Sequence, residues 1–129
     1  MRKMIKLNNQ NFLEKDLVIE MLESGISMND SRYVILEKDG QFWVEERNEQ
    51  VEGEFDCILP TYTMTELLYK LPEWIDGPLK FVKDAPFYCF WYDNGETEIV
   101  SEYPIRSAAK LLIRTMKEGK GYNINIEGK

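Results

Sequence analysis

Two cysteines, 23 aspartates and glutamates and no histidine define the chemistry this 129-residue chain can attempt. Without imidazole there is no His general base, no Ser-His or Cys-His nucleophile pair and no zinc site built on a nitrogen ligand. Cys57 and Cys89 stand 32 positions apart, which excludes a CxxC redox pair and a Cys-rich zinc cluster. A disulfide between them stays geometrically open. Yet a chain of this length buries a core without a staple, and two cysteines with no leader segment read as reduced cytosolic thiols. GxSxG, GxGxxG, P-loop and HExxH patterns are absent. A catalytic carboxylate pair is defined by separation in space, so a small enzyme with a carboxylate or thiolate centre is kept as a third reading. No catalytic, cofactor-binding or metal-ligating residue is singled out, and no cofactor is implied.

Three further constellations bear on binding. In the strand-like run Pro86 to Tyr92, period-2 alternation puts Phe87, Cys89 and Trp91 on one face and Tyr88, Phe90 and Tyr92 on the other. A run with aromatic residues on both faces reads either as a central strand covered on each side or as an exposed Tyr88, Phe90 and Tyr92 platform for a partner or stacked bases. Two of those three rings carry hydroxyls, which suits half-exposure. Near the C-terminus Arg106, Lys110, Arg114 and Lys117 fall at spacings of four, four and three, so one helix would carry a basic stripe able to follow phosphates. The alternative is a solvated helix side whose last-turn cations complement the macrodipole.

The third constellation is acidic. Glu45, Glu46, Glu49, Glu52, Glu54 and Asp56 crowd a stretch in which only Arg47 opposes them, a pattern that could meet a basic partner or simply be solvated. Asp93-Asn94-Gly95-Glu96 resembles the opening of a calcium loop but lacks the remaining ligands and reads as a turn.

Elements must position these groups. Phe12, Leu13, Leu17, Val18, Met21 and Leu22 predict a helix over 11–24, capped by Asn11 and ended by Gly25. Residues 32–37 and 41–46, flanking Lys38-Asp39-Gly40, predict a hairpin, and 47–59 reads as a loop. Thr63-Met64-Thr65-Glu66 is a capping box for a short helix over 63–71 that Pro72 ends. Strands over 79–83, 86–92 and 96–101 form a meander, since such short connections leave no room for a crossover. A last helix over 103–118 starts near Pro104, buries Ile105, Ala108, Ala109, Leu112 and Met116, and ends near Gly119.

The expected fold is therefore a single α+β domain over 1–129, with an antiparallel sheet of about five strands packed on three helices in the order α-β-β-α-β-β-β-α. Residues 1–10 and 120–129 read as flexible ends.

The wording Pro60-Thr61-Tyr62-Thr63-Met64-Thr65-Glu66-Leu67-Leu68, then Leu71-Pro72-Glu73-Trp74-Ile75, resembles a class of short bacterial proteins associated with prophages and mobile elements. The likeness continues through Ser101-Glu102 and Ile105-Arg106-Ser107-Ala108-Ala109-Lys110-Leu111-Leu112-Ile113, over about residues 60–119. It implies a genetic setting and lends no site residue.

Charge completes the expectation. Sixteen Lys and Arg give a net charge of −7, which disfavours broad phosphate binding. The segment 103–129 is nevertheless basic. No run approaches the ~18 apolar residues of a membrane span, and no secretory leader is evident, so cytoplasmic residence is expected. The leading functional expectation is a non-enzymatic accessory or interaction protein that meets an unknown protein partner or a second copy of itself. The alternative is a nucleic-acid-associated protein that uses the basic helix and the aromatic strand.

Overall fold

A computed structural model describes residues 4–7, 11–47, 54–95 and 98–118. Its elements run β1 (Met4–Lys6), α1 (Lys15–Glu23), β2 (Tyr33–Lys38), β3 (Gln41–Glu46), β4 (Cys57–Thr61), α2 (Met64–Lys70), β5 (Leu79–Asp84), β6 (Phe87–Tyr92), β7 (Ile99–Ser101) and α3 (Pro104–Lys117). The class is α+β, as the alternating elements predict. The single sheet of about five strands is corrected: the described residues form seven strands in two antiparallel sheets, ordered β1-β3-β2-β4 and β5-β6-β7.

Both added strands lie where local signals are weak. β1 falls in the segment read as a flexible end, and it pairs Met4, Ile5 and Lys6 with Glu45, Val44 and Trp43. β4 falls in the stretch read as a loop. Its Pro60 lacks an amide donor and argues against a strand, but β4 is an edge strand, where an unmet ladder position is tolerated. Residues 1–3, 8–10, 48–53, 96–97 and 119–129 lie outside the described residues, and with them the expected helix end at Gly119 and most of both expected flexible ends.

The hairpin between β2 and β3 follows from Asp39 and Gly40, whose φ values of 53° and 77° make the two-residue turn that matches strand twist. α1 starts later than expected. Its N-cap is Glu14 with no side-chain cap bond, because Phe12 bridges to Thr63 and the Leu13 amide donates to the Tyr62 carbonyl at 3.1 Å, holding this segment extended. Asn11 therefore caps nothing in α1. Thr63 and Glu66 do form the reciprocal capping box of α2.

α3 packs on β6 and β7 and against α1 and α2. Sequence periodicity gives it one apolar face, whereas the structure also buries Ser107, Leu111, Ile113 and Thr115. A helix with a sheet on one side and helices on the other is covered around most of its girth. Its two buried hydroxyls are satisfied internally: Ser107 donates to the Tyr88 carbonyl at 2.8 Å and Thr115 to that of Leu112 at 2.8 Å. Around α3 the core gathers Leu13, Leu17, Met21, Tyr62, Leu67 and Tyr92. Each such side chain contributes about 1.5–3 kcal/mol on burial.

Candidate functional site

Pairing register assigns the faces of the β5-β6-β7 sheet. Leu79, Phe81 and Lys83 stand beside Tyr92, Phe90 and Tyr88, with Ile99 and Ser101 beyond the last two. This face turns to the core and α3 at Phe90, Tyr92 and Ile99, while Phe81 (48% exposed) and Lys83 on β5 stay exposed beyond it. Phe90 is 2% exposed and Tyr92 fully buried, so the Tyr88, Phe90 and Tyr92 platform is corrected for two of its three rings. The hydroxyl of Tyr92 does not require water because it donates to the Pro72 carbonyl at 2.6 Å. Tyr88 is half-buried at the margin, stacked on Phe81 with centroids 6.2 Å apart and Lys83 over its ring.

The outward face is the other one. Val82 (46% exposed), Phe87 (43%) and Val100 (47%) surround Cys89, which is 7% exposed, and half-buried Trp91 extends the surface. Lys80 and Asp84, both exposed, stand at opposite ends of this face on β5. Burial pushes the Cys89 thiol up, and the carboxylates of Glu98 and Asp84 push it further in the same direction. A thiol so placed stays protonated at neutral pH and lacks nucleophilic character.

The basic stripe of α3 meets acids of α1. Arg106 pairs with Glu14, and Lys117 reaches Glu20 at 3.6 Å. Lys110 and Arg114 are half-buried on the same helix. Two of the four expected phosphate contacts thus sit in an interhelical ion-pair seam. Of the acidic stretch, Glu45 is buried in β3, Glu46 pairs with Arg32 at 3.5 Å, and Asp56 accepts from the Asp39 amide at 3.1 Å; Glu49 and Glu52 lie outside the described residues. Among the described residues no cluster of Cys, Asp and Glu could hold a metal ion. Asn94 serves its turn by donating to the Ile75 carbonyl at 2.6 Å, while Glu96 lies outside the described residues.

One polar cavity, of about 670 Å³, escapes sequence reading. It lies where α2 meets the start of β2. There the Tyr62 hydroxyl donates to Asp30 Oδ1 at 2.6 Å, Lys70 Nζ to Asp30 Oδ2 at 2.8 Å, and the Arg32 amide to Glu66 Oε2 at 2.9 Å. Desolvation works to raise the Asp30 carboxyl, but the hydrogen bonds from Lys70 and Tyr62 outweigh it and hold the group below the usual carboxylate range. Burial, reinforced by Asp30, pushes the Tyr62 phenol far up. Both shifts move away from neutrality, so this pair is fixed as phenol and carboxylate and is not poised to transfer a proton near pH 7. Asp30 and Tyr62 are 32 positions apart, and only the capping box between them and Lys70 carries a local signal.

An apolar hollow of about 400 Å³ lies between α1 and β3, floored by Leu7, Ile19 and Phe42. Lys15 bridges its rim to Glu37 at 2.6 Å. Among the described residues no helix is long and apolar enough to cross a membrane. No family model, no curated protein and no solved structure matches the chain.

Proposed function

We propose that the chain is a non-enzymatic interaction module that docks a protein partner through the outward face of β5-β6-β7. One observation carries the reading: Val82, Phe87 and Val100 are each more than two-fifths exposed on the face of the sheet turned away from buried Phe90 and Tyr92. Apolar area of this kind is stabilised by being removed from water. Lys80 at one end and Asp84 at the other select a partner whose own apolar surface carries a carboxylate and a cation in the matching order. The nucleic-acid reading is disfavoured because Arg106 and Lys117 already neutralise carboxylates of α1. The enzyme reading is disfavoured by the direction of the Tyr62, Asp30 and Cys89 shifts.

Cytoplasmic residence belongs to the same proposal, supported by two free thiols, as does a mobile-element setting, supported by the wording of residues 60–75. The test is photo-crosslinking in cells from a benzophenone side chain placed at position 82, at position 100, or at exposed Lys38 on the other sheet. Adducts to one protein from 82 and 100, abolished by Asp84→Lys and absent from 38, are expected. Equal labelling from all three positions would sink the reading.

A further inference from the structure

The outward face of β5-β6-β7 is complementary to itself. On β5, Lys80 and Asp84 each lie two residues from Val82 and share its face. Register sets Trp91 beside Lys80, Cys89 beside Val82 and Phe87 beside Asp84, with Val100 beyond Cys89. Consider a twofold axis lying between two stacked sheets and perpendicular to their strands. It reverses each strand onto its own copy, so Val82, Cys89 and Val100 face themselves across the axis. Lys80 then faces Asp84 of the second copy, Asp84 faces Lys80, and Trp91 faces Phe87. A face with two like charges at those positions would repel its own image; this one forms two ion pairs with it.

We propose that the partner is a second copy of this chain, packed face to face about that axis. The inference rests on the docking reading above and names its occupant. Stacked sheets lie about 10 Å apart with strands within about 30° of each other, which keeps the register near the axis. An isologous contact of this kind closes at two subunits. With strands of six residues at about 3.3 Å each and neighbours about 4.8 Å apart, the three-stranded face covers roughly 300 Å² per copy. A standard interface uses about 800 Å² per partner, so the pairing is weak and reversible.

Sedimentation equilibrium from micromolar to millimolar chain tests this on the wild type, Lys80→Asp, Asp84→Lys and the double exchange. Both positions are exposed, so each variant should keep the wild-type circular dichroism and thermal midpoint. The expected result is a monomer–dimer equilibrium that each single reversal weakens at least tenfold and that the double exchange restores, because the reversed side chains again meet with opposite sign. A wild type that stays monomeric throughout, or a dimer indifferent to all three variants, overturns the proposal. Crosslinks from position 82 to a different protein, with a monomeric chain, would remove self-pairing and leave the docking face standing. Absence of both would remove the face.

Discussion

The Tyr62 hydroxyl and the Asp30 carboxylate, 2.6 Å apart, join the segment that enters α2 to the turn that precedes β2. Each changes the other's titration, and the two signs differ. Asp30 is held below the usual range, so its contribution to stability is complete above the unfolded value of about 3.9 and is lost as pH falls through the folded value. Tyr62 is pushed up, so its contribution is complete below the unfolded value of about 10 and is lost as pH rises beyond that. Urea midpoints against pH should decline at both extremes. Tyr62→Phe should flatten the alkaline limb and lower stability at pH 7 by about 1–2 kcal/mol, since Asp30 loses one of its hydrogen bonds and keeps Lys70 and a backbone amide.

Arg106 and Lys117 separate a half-buried ion pair from an exposed one. Glu14 is only 21% exposed at its side chain, so Arg106→Ala leaves a partly desolvated carboxylate without its cation and should cost about 1–3 kcal/mol in chemical denaturation. Lys117 and Glu20 are both solvated, and Lys117→Ala should cost under about 0.5 kcal/mol. Fluorescence anisotropy with single-stranded and duplex DNA at low salt should show no salt-sensitive binding for any of these proteins. A salt slope that Lys110→Ala lowers by about one would restore the nucleic-acid reading.

Glu66 has two tasks. Its Oε1 accepts from the Thr63 amide at 2.9 Å and completes the capping box, while its Oε2 accepts from the Arg32 amide at 2.9 Å and ties α2 to the start of β2. Thr63→Ala removes one cap acceptor and should cost about 1 kcal/mol. Glu66→Ala removes the acceptor of the half-buried Thr63 amide and of the exposed Arg32 amide, and should cost up to about twice as much by the unfolding midpoint. Equal costs would mean that the tie to Arg32 contributes nothing.

What was legible in the sequence was whatever one segment determines alone. The Asp39-Gly40 turn, the Thr63-Glu66 box and Pro104 at the head of α3 require only their neighbours, and all three stand where their spacing puts them. β1 and β4 are defined by pairing partners about 40 and 20 positions away, Val44 for Ile5 and Ile35 for Leu59, and no local pattern specifies such partners. The same limit applies to the aromatic strand. Alternation correctly divides Phe87, Cys89 and Trp91 from Tyr88, Phe90 and Tyr92, but only the position of α3 decides which set is buried. The tyrosine hydroxyls point to the wrong choice because a carbonyl at Pro72, 20 residues upstream, satisfies Tyr92 inside the core.

Gly77 lets the chain before β5 pass against the turn after β6, at the end of the sheet that carries the proposed docking face. A Cβ added there would lie 2.1 Å from the Asp93 carbonyl oxygen and 2.6 Å from its carbon, both backbone atoms that cannot swing aside. The close approach exists because Asp93 donates to the Pro78 carbonyl at 2.9 Å and Asn94 to that of Ile75 at 2.6 Å, docking the segment before β5 onto the turn after β6. Gly77→Ala must separate those segments, and about 2–3 kcal/mol or more should be lost. Gly40 is the control. Its φ of 77° strains an alanine, but nothing lies within 4 Å of the added carbon, so Gly40→Ala should cost only about 1 kcal/mol. Thermal midpoints rank the two, and amide exchange locates the damage: the Asp93 amide should lose protection in Gly77→Ala and keep it in Gly40→Ala. Because Leu79 pairs with Tyr92 just inside this contact, loosening it also frees the end of β5 that bears Lys80. Self-association should therefore weaken in Gly77→Ala and stay unchanged in Gly40→Ala, which has its lesion in the other sheet.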